Sequence, residues 1–142
     1  MARININLPE KSIYHHKFSV RIDDINYGGH MGNDAVLRFA HETRLTYLKS
    51  VGHSEQDLMG KSLIMADAAV VYKGEAFHGD LIDGYLYVSE LNPYGFDFIY
   101  LFKRGDKEIA RAKTGLVFFD YNLRKIAKAP EELKNLFPNS SK

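Results

Sequence analysis

Residues 24 to 34 read Asp24-Ile25-Asn26-Tyr27-Gly28-Gly29-His30-Met31-Gly32-Asn33-Asp34. No periodicity runs through this stretch, and Gly28, Gly29 and Gly32 mark it as a tight loop. Before it, Lys17-Phe18-Ser19-Val20-Arg21-Ile22 alternates polar and apolar residues, the period of a half-buried strand. After it, from Asp34 to about Val51, the period becomes helical: Leu37, Ala40, Arg44, Leu48 and Val51 fall on one side. Asn33 or Asp34 is the expected cap, and Gly52 the stop. The polar loop therefore delivers the chain from a strand into the N-terminus of a long helix. Unpaired N–H groups and the positive end of the helix dipole gather there, and together they can hold a developing oxyanion.

Beyond the helix, a short helical turn capped by Ser54 is expected around Ser54 to Met59, and everything from there to Asp120 reads as sheet. Strands are expected over Ser62 to Tyr72, Leu81 to Leu91, Gly95 to Lys103 and Glu108 to Phe119. Asn92-Pro93-Tyr94-Gly95 and Arg104-Gly105-Asp106-Lys107 carry hairpin-turn residues, so these strands are antiparallel neighbours. Pro130-Glu131-Glu132-Leu133 opens a short helix in a C-terminal tail over 129–142, ahead of a polar end expected to fray. One strand, one long helix and four strands make an α+β layer in a single domain over 1–142, with its core at about 15–122.

Composition excludes several classes. At 142 residues there is room for one domain, and 45% hydrophobic content with nine Phe and nine Tyr can fill a core. Lys and Arg number 19 against 18 Asp and Glu, so the near-neutral charge gives no sign of the basic field of a nucleic-acid binder. Cysteine is absent, which removes disulfides, thiolate metal sites and a Cys nucleophile. No stretch approaches the roughly 20 apolar residues of a membrane span, and Met1 to Glu10 lacks the apolar core of a secretory signal. A cytoplasmic location is the expectation. His15, His16 and His78 show no spacing that demands a metal, and none is expected.

The loop and several segments downstream of it resemble the 4-hydroxybenzoyl-CoA thioesterase family of the hotdog fold. That family shows D-x-D-x-x-G-H-V-N-N after its first strand; here the run is Asp24 to Asn33. Its E-x-A-R-like helix segment is matched by Glu42-Thr43-Arg44. Val71-Tyr72-Lys73-Gly74-Glu75-Ala76-Phe77-His78-Gly79-Asp80 resembles its third-strand run into a Gly-Asp turn, and Ile109-Ala110-Arg111-Ala112-Lys113-Thr114 a later strand. Each piece is weakly specific; their order and spacing across roughly residues 17 to 122 are more so. The resemblance implies an antiparallel sheet of about five strands wrapped around one long central helix. It also implies hydrolysis of an acyl-CoA or acyl carrier protein thioester to free acid and thiol. Coenzyme A would be part of the substrate, with no separate cofactor. A homodimer or homotetramer with sites between subunits is the expected assembly.

One position departs from the family pattern. The second Asp, a nucleophile or base in some members, is Asn26 here, and an amide cannot fill that role near neutral pH. Another carboxylate must then act as base. Asp34 or Glu42 is the expectation, from the same chain or across a subunit interface, with Asp24 also at hand; general-base attack by water is favoured over an acyl-enzyme. Asn26 and His30 are expected to position water or substrate. Backbone N–H groups near Gly32 and Asn33 would polarise the carbonyl, and Gly29 and Gly32 would let substrate approach the backbone.

Each of these residues also has a plainer reading. His30 can satisfy the loop backbone, Asn33 can cap the helix, Asp34 can answer the dipole and Asp24 can brace the loop. Glu42 can pair with Arg38 at i,i+4, and Arg44 reads as structural. Phe96, Phe98, Tyr100 and Phe102 read as core or interface. Lys73, Lys103, Arg104, Arg124, Lys125 and Lys128 are available to CoA phosphates but read as solvated surface. Two rival functions remain: a hydratase or dehydratase, whose usual acid–base motif is not apparent, and a non-catalytic acyl-CoA binding protein, which Asn26 keeps open.

Overall fold

The computed structural model describes residues 2–137; the far end of the tail lies outside the described residues. Strand β1 (Tyr14–Ser19) leads through a single 3-10 turn (Ile22–Asp24) and the glycine loop into helix α1 (Asn33–Ser50). Strands β2 (Ser62–Tyr72), β3 (Leu81–Asn92), β4 (Gly95–Arg104) and β5 (Lys107–Asp120) come next, then a two-residue strand β6 (Lys125–Ile126) and a short helix α2 (Leu133–Leu136). The sheet is antiparallel in the order β1-β3-β4-β5-β2, with β6 added to β5. It forms a hotdog fold, with α1 lying against one face. Among the described residues no helix is long and apolar enough to cross a membrane.

Alternation explains the sheet's two faces. Phe96, Phe98, Tyr100 and Phe102 are fully buried toward α1, where they meet Phe18, Phe39, Tyr47 and Leu48. The stripe is therefore core. The intervening Ile99 and Leu101 face the opposite side with Tyr87, and the N-terminal segment covers them through Ile6 and Leu8. Arg111 fastens that segment by donating to the Ile6 carbonyl at 2.9 Å. At the other end, Leu133 and Phe137 join the main core, with Phe137 5.1 Å from the Phe96 ring, so the core extends well past residue 122.

Several local expectations are corrected. β1 begins earlier than Lys17 and ends at Ser19, because the Arg21 N–H bonds the Asp24 carboxylate at 2.9 Å and turns the chain there. Residues 54–59 form no helical turn. The Ser54 hydroxyl accepts the Asp57 N–H at 3.0 Å, and a bridge between Leu58 and Lys61 closes the loop over a fully buried Leu58. On α1, Ala40, Arg44 and Leu48 are buried as expected, but Leu37 and Val51 are 43% and 38% exposed. Val36, Phe39, Thr43 and Tyr47 complete the buried stripe, whose centre lies about 60° round the helix from the expected one. Gly52 does end the helix: its φ of 82° lets the His53 N–H return to the Leu48 carbonyl at 2.8 Å.

Candidate active site

The glycine loop is built from its own backbone. The Asn26 N–H donates to the His30 carbonyl at 2.8 Å, and the Gly29 N–H to the Asn26 carbonyl at 3.0 Å, with Gly29 at φ 83° making the turn possible. The Asn26 side-chain carbonyl accepts from the Gly28 N–H at 2.9 Å and the His30 N–H at 3.3 Å. Its amide nitrogen keeps its two donors. The far limb is stitched to the β2–β3 connection: Met31 N–H donates to the Ala76 carbonyl at 2.8 Å, and His30 bridges Phe77. Gly32, not Asn33 or Asp34, is the helix N-cap, and no side chain caps the first turn. The Gly32 N–H is spent on the Asp24 carbonyl at 2.8 Å. The N–H groups of Asn33 and Asp34 are left without an intrahelical acceptor.

A cavity of about 280 Å³ opens at this helix end. Asn26, His30, Met31, Gly32 and Asn33 form one wall, Tyr72 and 74–76 the other, and Val36 and Ile109 line it as well. The Tyr72 hydroxyl donates to the Asn33 carbonyl at 3.1 Å and ties β2 to the first helical turn. His30 lies 5.2 Å from the Phe77 ring, and its Nδ1 is buried with no hydrogen-bond partner among the described residues. The nearest polar atom in an ion-pair contact is Glu75 Oε1, at 3.4 Å.

The three carboxylates expected to supply a base are held elsewhere. Buried Asp24 takes the Arg38 guanidinium at 2.7 Å and the Arg21 N–H. Its bracing of the loop is what the structure shows. Asp34 is 82% exposed and pairs with Arg38 at 2.9 Å. Glu42 meets His16 at 2.8 Å rather than Arg38. Asp24 and Glu42 line a separate, larger groove of about 610 Å³ between β1 and α1, with Lys17, Arg21 and Arg38. Its charges largely cancel, and the hydrogen bond to Asp24 holds Arg38 charged more firmly than usual. The smaller cavity, with free N–H groups and an unpartnered imidazole nitrogen, is the better candidate for chemistry. Gly29, at the loop's tip, lines neither.

A family model described as the thioesterase-like superfamily matches residues 20–137. The chain belongs to that superfamily. An 80-residue stretch is 30% identical to a provisionally designated esterase of Aquifex aeolicus (strain VF5), covering 55% of this chain and 62% of that protein, less than two thirds of its length. A 1,4-dihydroxy-2-naphthoyl-CoA thioesterase from Synechocystis superposes with a TM-score of 0.80 at 21% identity, over 89% of this chain and 96% of that one. A gentisyl-coenzyme A thioesterase superposes at 0.75 and 15% identity, over 85% and 99%. These likenesses are of fold.

Within this superfamily member, sequence reasoning brought four residues to the cavity, Asn26, His30, Gly32 and Asn33, and missed its opposite wall. A signal for Tyr72 and Glu75 existed, since both lie in the run from Val71 to Asp80 that resembles the family. What could not be read was that this run pairs with the loop through His30 and Met31. Asp80 anchors the same connection. The Phe77 N–H at 2.8 Å, then Arg104, hold its carboxyl below the ordinary range. Among the described residues no three His, Asp or Glu side chains gather as a metal site.

Proposed function

We propose that this protein is an acyl-CoA thioesterase whose chemistry takes place in the cavity at the N-terminus of α1. The observation that carries the reading is the cavity at the head of α1, where Asn26, His30 and Asn33 share one wall and the first helical turn has no side-chain cap, in a thioesterase-like chain. A thioester carbonyl set against that turn meets donors and the positive helix end where its oxygen gains charge. The Asn26 amide adds a further donor while its oxygen holds the loop. Asn33 and Gly32 form the floor against which the substrate lies. The volume of about 280 Å³ sits at the small end of ligand sites and suits a short or single-ring acyl group. Two fold relatives are named for aromatic acyl-CoA substrates, one of a single ring and one of two fused rings, which favours an aromatic acyl group over a short aliphatic one.

The working unit in this reading is a homodimer. β2 is an edge strand of 11 residues, paired among the described residues with β5 alone, and it exposes Met65 and Tyr72. A second copy pairing along it would protect an edge that is otherwise open. Because Tyr72 lines the cavity, the partner would sit beside the substrate. We place the work in the cytoplasm on the chemistry of the substrate, with a cysteine-free chain compatible with a reducing compartment.

The test is thiol release, followed with a disulfide dye across short, long and aromatic acyl-CoAs. Turnover highest on short or single-ring substrates supports the reading. Binding without release across the panel would favour the non-catalytic protein that Asn26 keeps open, and water addition with the thioester intact would favour a hydratase.

A further inference from the structure

Asn26 removes a carboxylate from the loop, and the structure places another across the cavity. Glu75 is the one Asp or Glu among the residues lining that space; Asp24, Asp34 and Glu42 are held by Arg38 and His16. Its side chain is 66% exposed and has no hydrogen-bond partner among the described residues. Opposite it stands His30 Nδ1, buried and unpartnered at 3.4 Å. A buried polar nitrogen without a partner is uncommon in folded proteins, and at a cavity wall it marks a group kept for use. Bonds to Asn26 hold the His30 backbone from both sides, through its N–H and its carbonyl, so the root of the ring is fixed beside the Glu75 carboxylate.

Resting on the thioesterase reading of this cavity, we infer that Glu75 and His30 form its base pair. The Glu75 carboxylate accepts the Nδ1–H of His30, which fixes the tautomer whose Nε2 carries a lone pair. Nε2 takes a proton from water as the water oxygen bonds to the thioester carbon, and the carbonyl electron pair moves onto oxygen against the Asn33 and Asp34 N–H groups. The tetrahedral intermediate collapses, the C–S bond breaks with its electrons going to sulfur, and Nε2–H returns the proton to the thiolate. Water and thioester become acid and thiol, and the imidazole ends neutral. Glu75 stays ionised throughout and acts through His30, as a positioning residue.

The test pairs kinetics with a readout that needs no turnover. Glu75→Gln is expected to lower kcat about a hundredfold with KM little changed, and Glu75→Asp to recover part of the loss. Nitrogen-15 NMR of histidine-labelled protein at about pH 9, where imidazole is neutral, is expected to show His30 protonated at Nδ1. That preference is expected to be lost in Glu75→Gln. If wild-type protein turns over and Glu75→Gln keeps kcat within about threefold, the pairing is overturned while the thioesterase reading stands. If no acyl-CoA is cleaved, the thioesterase reading falls, and the His30 tautomer still decides the pairing. A tautomer that is the same in wild type and Glu75→Gln overturns it.

Discussion

Arg44 is the one buried cation among the described residues, and its removal or isolation should be costly in a defined order. Its side chain is 5% exposed; Nε donates to Glu55 at 2.7 Å and Nη1 to the Tyr100 hydroxyl at 3.1 Å. Tyr100 in turn shares a hydrogen bond of 2.8 Å with buried Thr114. Burial works against the guanidinium's charge, but Tyr100 and Glu55 outweigh it, so the group is held charged. Glu55→Ala strips the counter-ion and leaves a cation in the core. Breaking a buried pair this way costs about 3–5 kcal/mol, and because Glu55 is itself partly wet the lower end applies. The double change Arg44→Met, Glu55→Ala removes the cation as well and should recover most of the loss. Urea unfolding at fixed protein concentration reads this directly. At about 1–3 kcal/mol per molar of urea, the single change should move the midpoint down by about 1 M or more, with the double variant above it. A single variant within about 1 kcal/mol of wild type, or a double variant less stable than the single, would refute the reasoning.

Other outcomes rest on the same geometry. Gly95→Ala places a methyl 2.0 Å from the Leu116 carbonyl oxygen and 2.9 Å from Val117 Cα, so stability should fall by about 3 kcal/mol or more as backbone is forced apart. Gly105→Asn, in open space at φ 58°, should stay within about 0.5 kcal/mol by thermal melting. Asn26→Asp keeps the acceptor for Gly28 and His30 and should melt near wild type, whereas Asn26→Ala leaves both exposed N–H groups to water and should lose about 1 kcal/mol or less. Burial pushes the Tyr47 hydroxyl up from 10.0 to about 12, so its folded pKa is raised. The stability it contributes is complete below about pH 10 and is lost as pH rises toward about 12. Tyr47→Phe should flatten that alkaline decline in a series of melts.

The sheet was legible because alternation and turn chemistry agreed: Phe96 to Phe102 and the turns at 92–95 and 104–107 left little freedom of register. The helix was legible in extent but less so in phase, since Leu37 and Val36 are equally apolar and only the sheet decides which is covered. β1 was misplaced because an Asp24 carboxylate reaching back to Arg21 is invisible to periodicity. Ile6 and Leu8 had no visible partner, because the face they cover is made from β3 and β4 far along the chain. The site obeyed the same rule. Asn26, His30, Gly32 and Asn33 are local to one loop and could be named together. Whether Asp34 or Glu42 faced the cavity depended on Arg38 and His16, and Glu75 entered only when β2 came to lie beside the loop.

Product stoichiometry tests most directly whether the cavity at the head of α1 cleaves thioesters. Purified protein incubated with a single-ring acyl-CoA should yield free CoA and free acid in equal amounts, and His30→Ala should abolish both while the protein remains folded. Release of neither product by wild-type protein, or undiminished release by His30→Ala, would contradict the account.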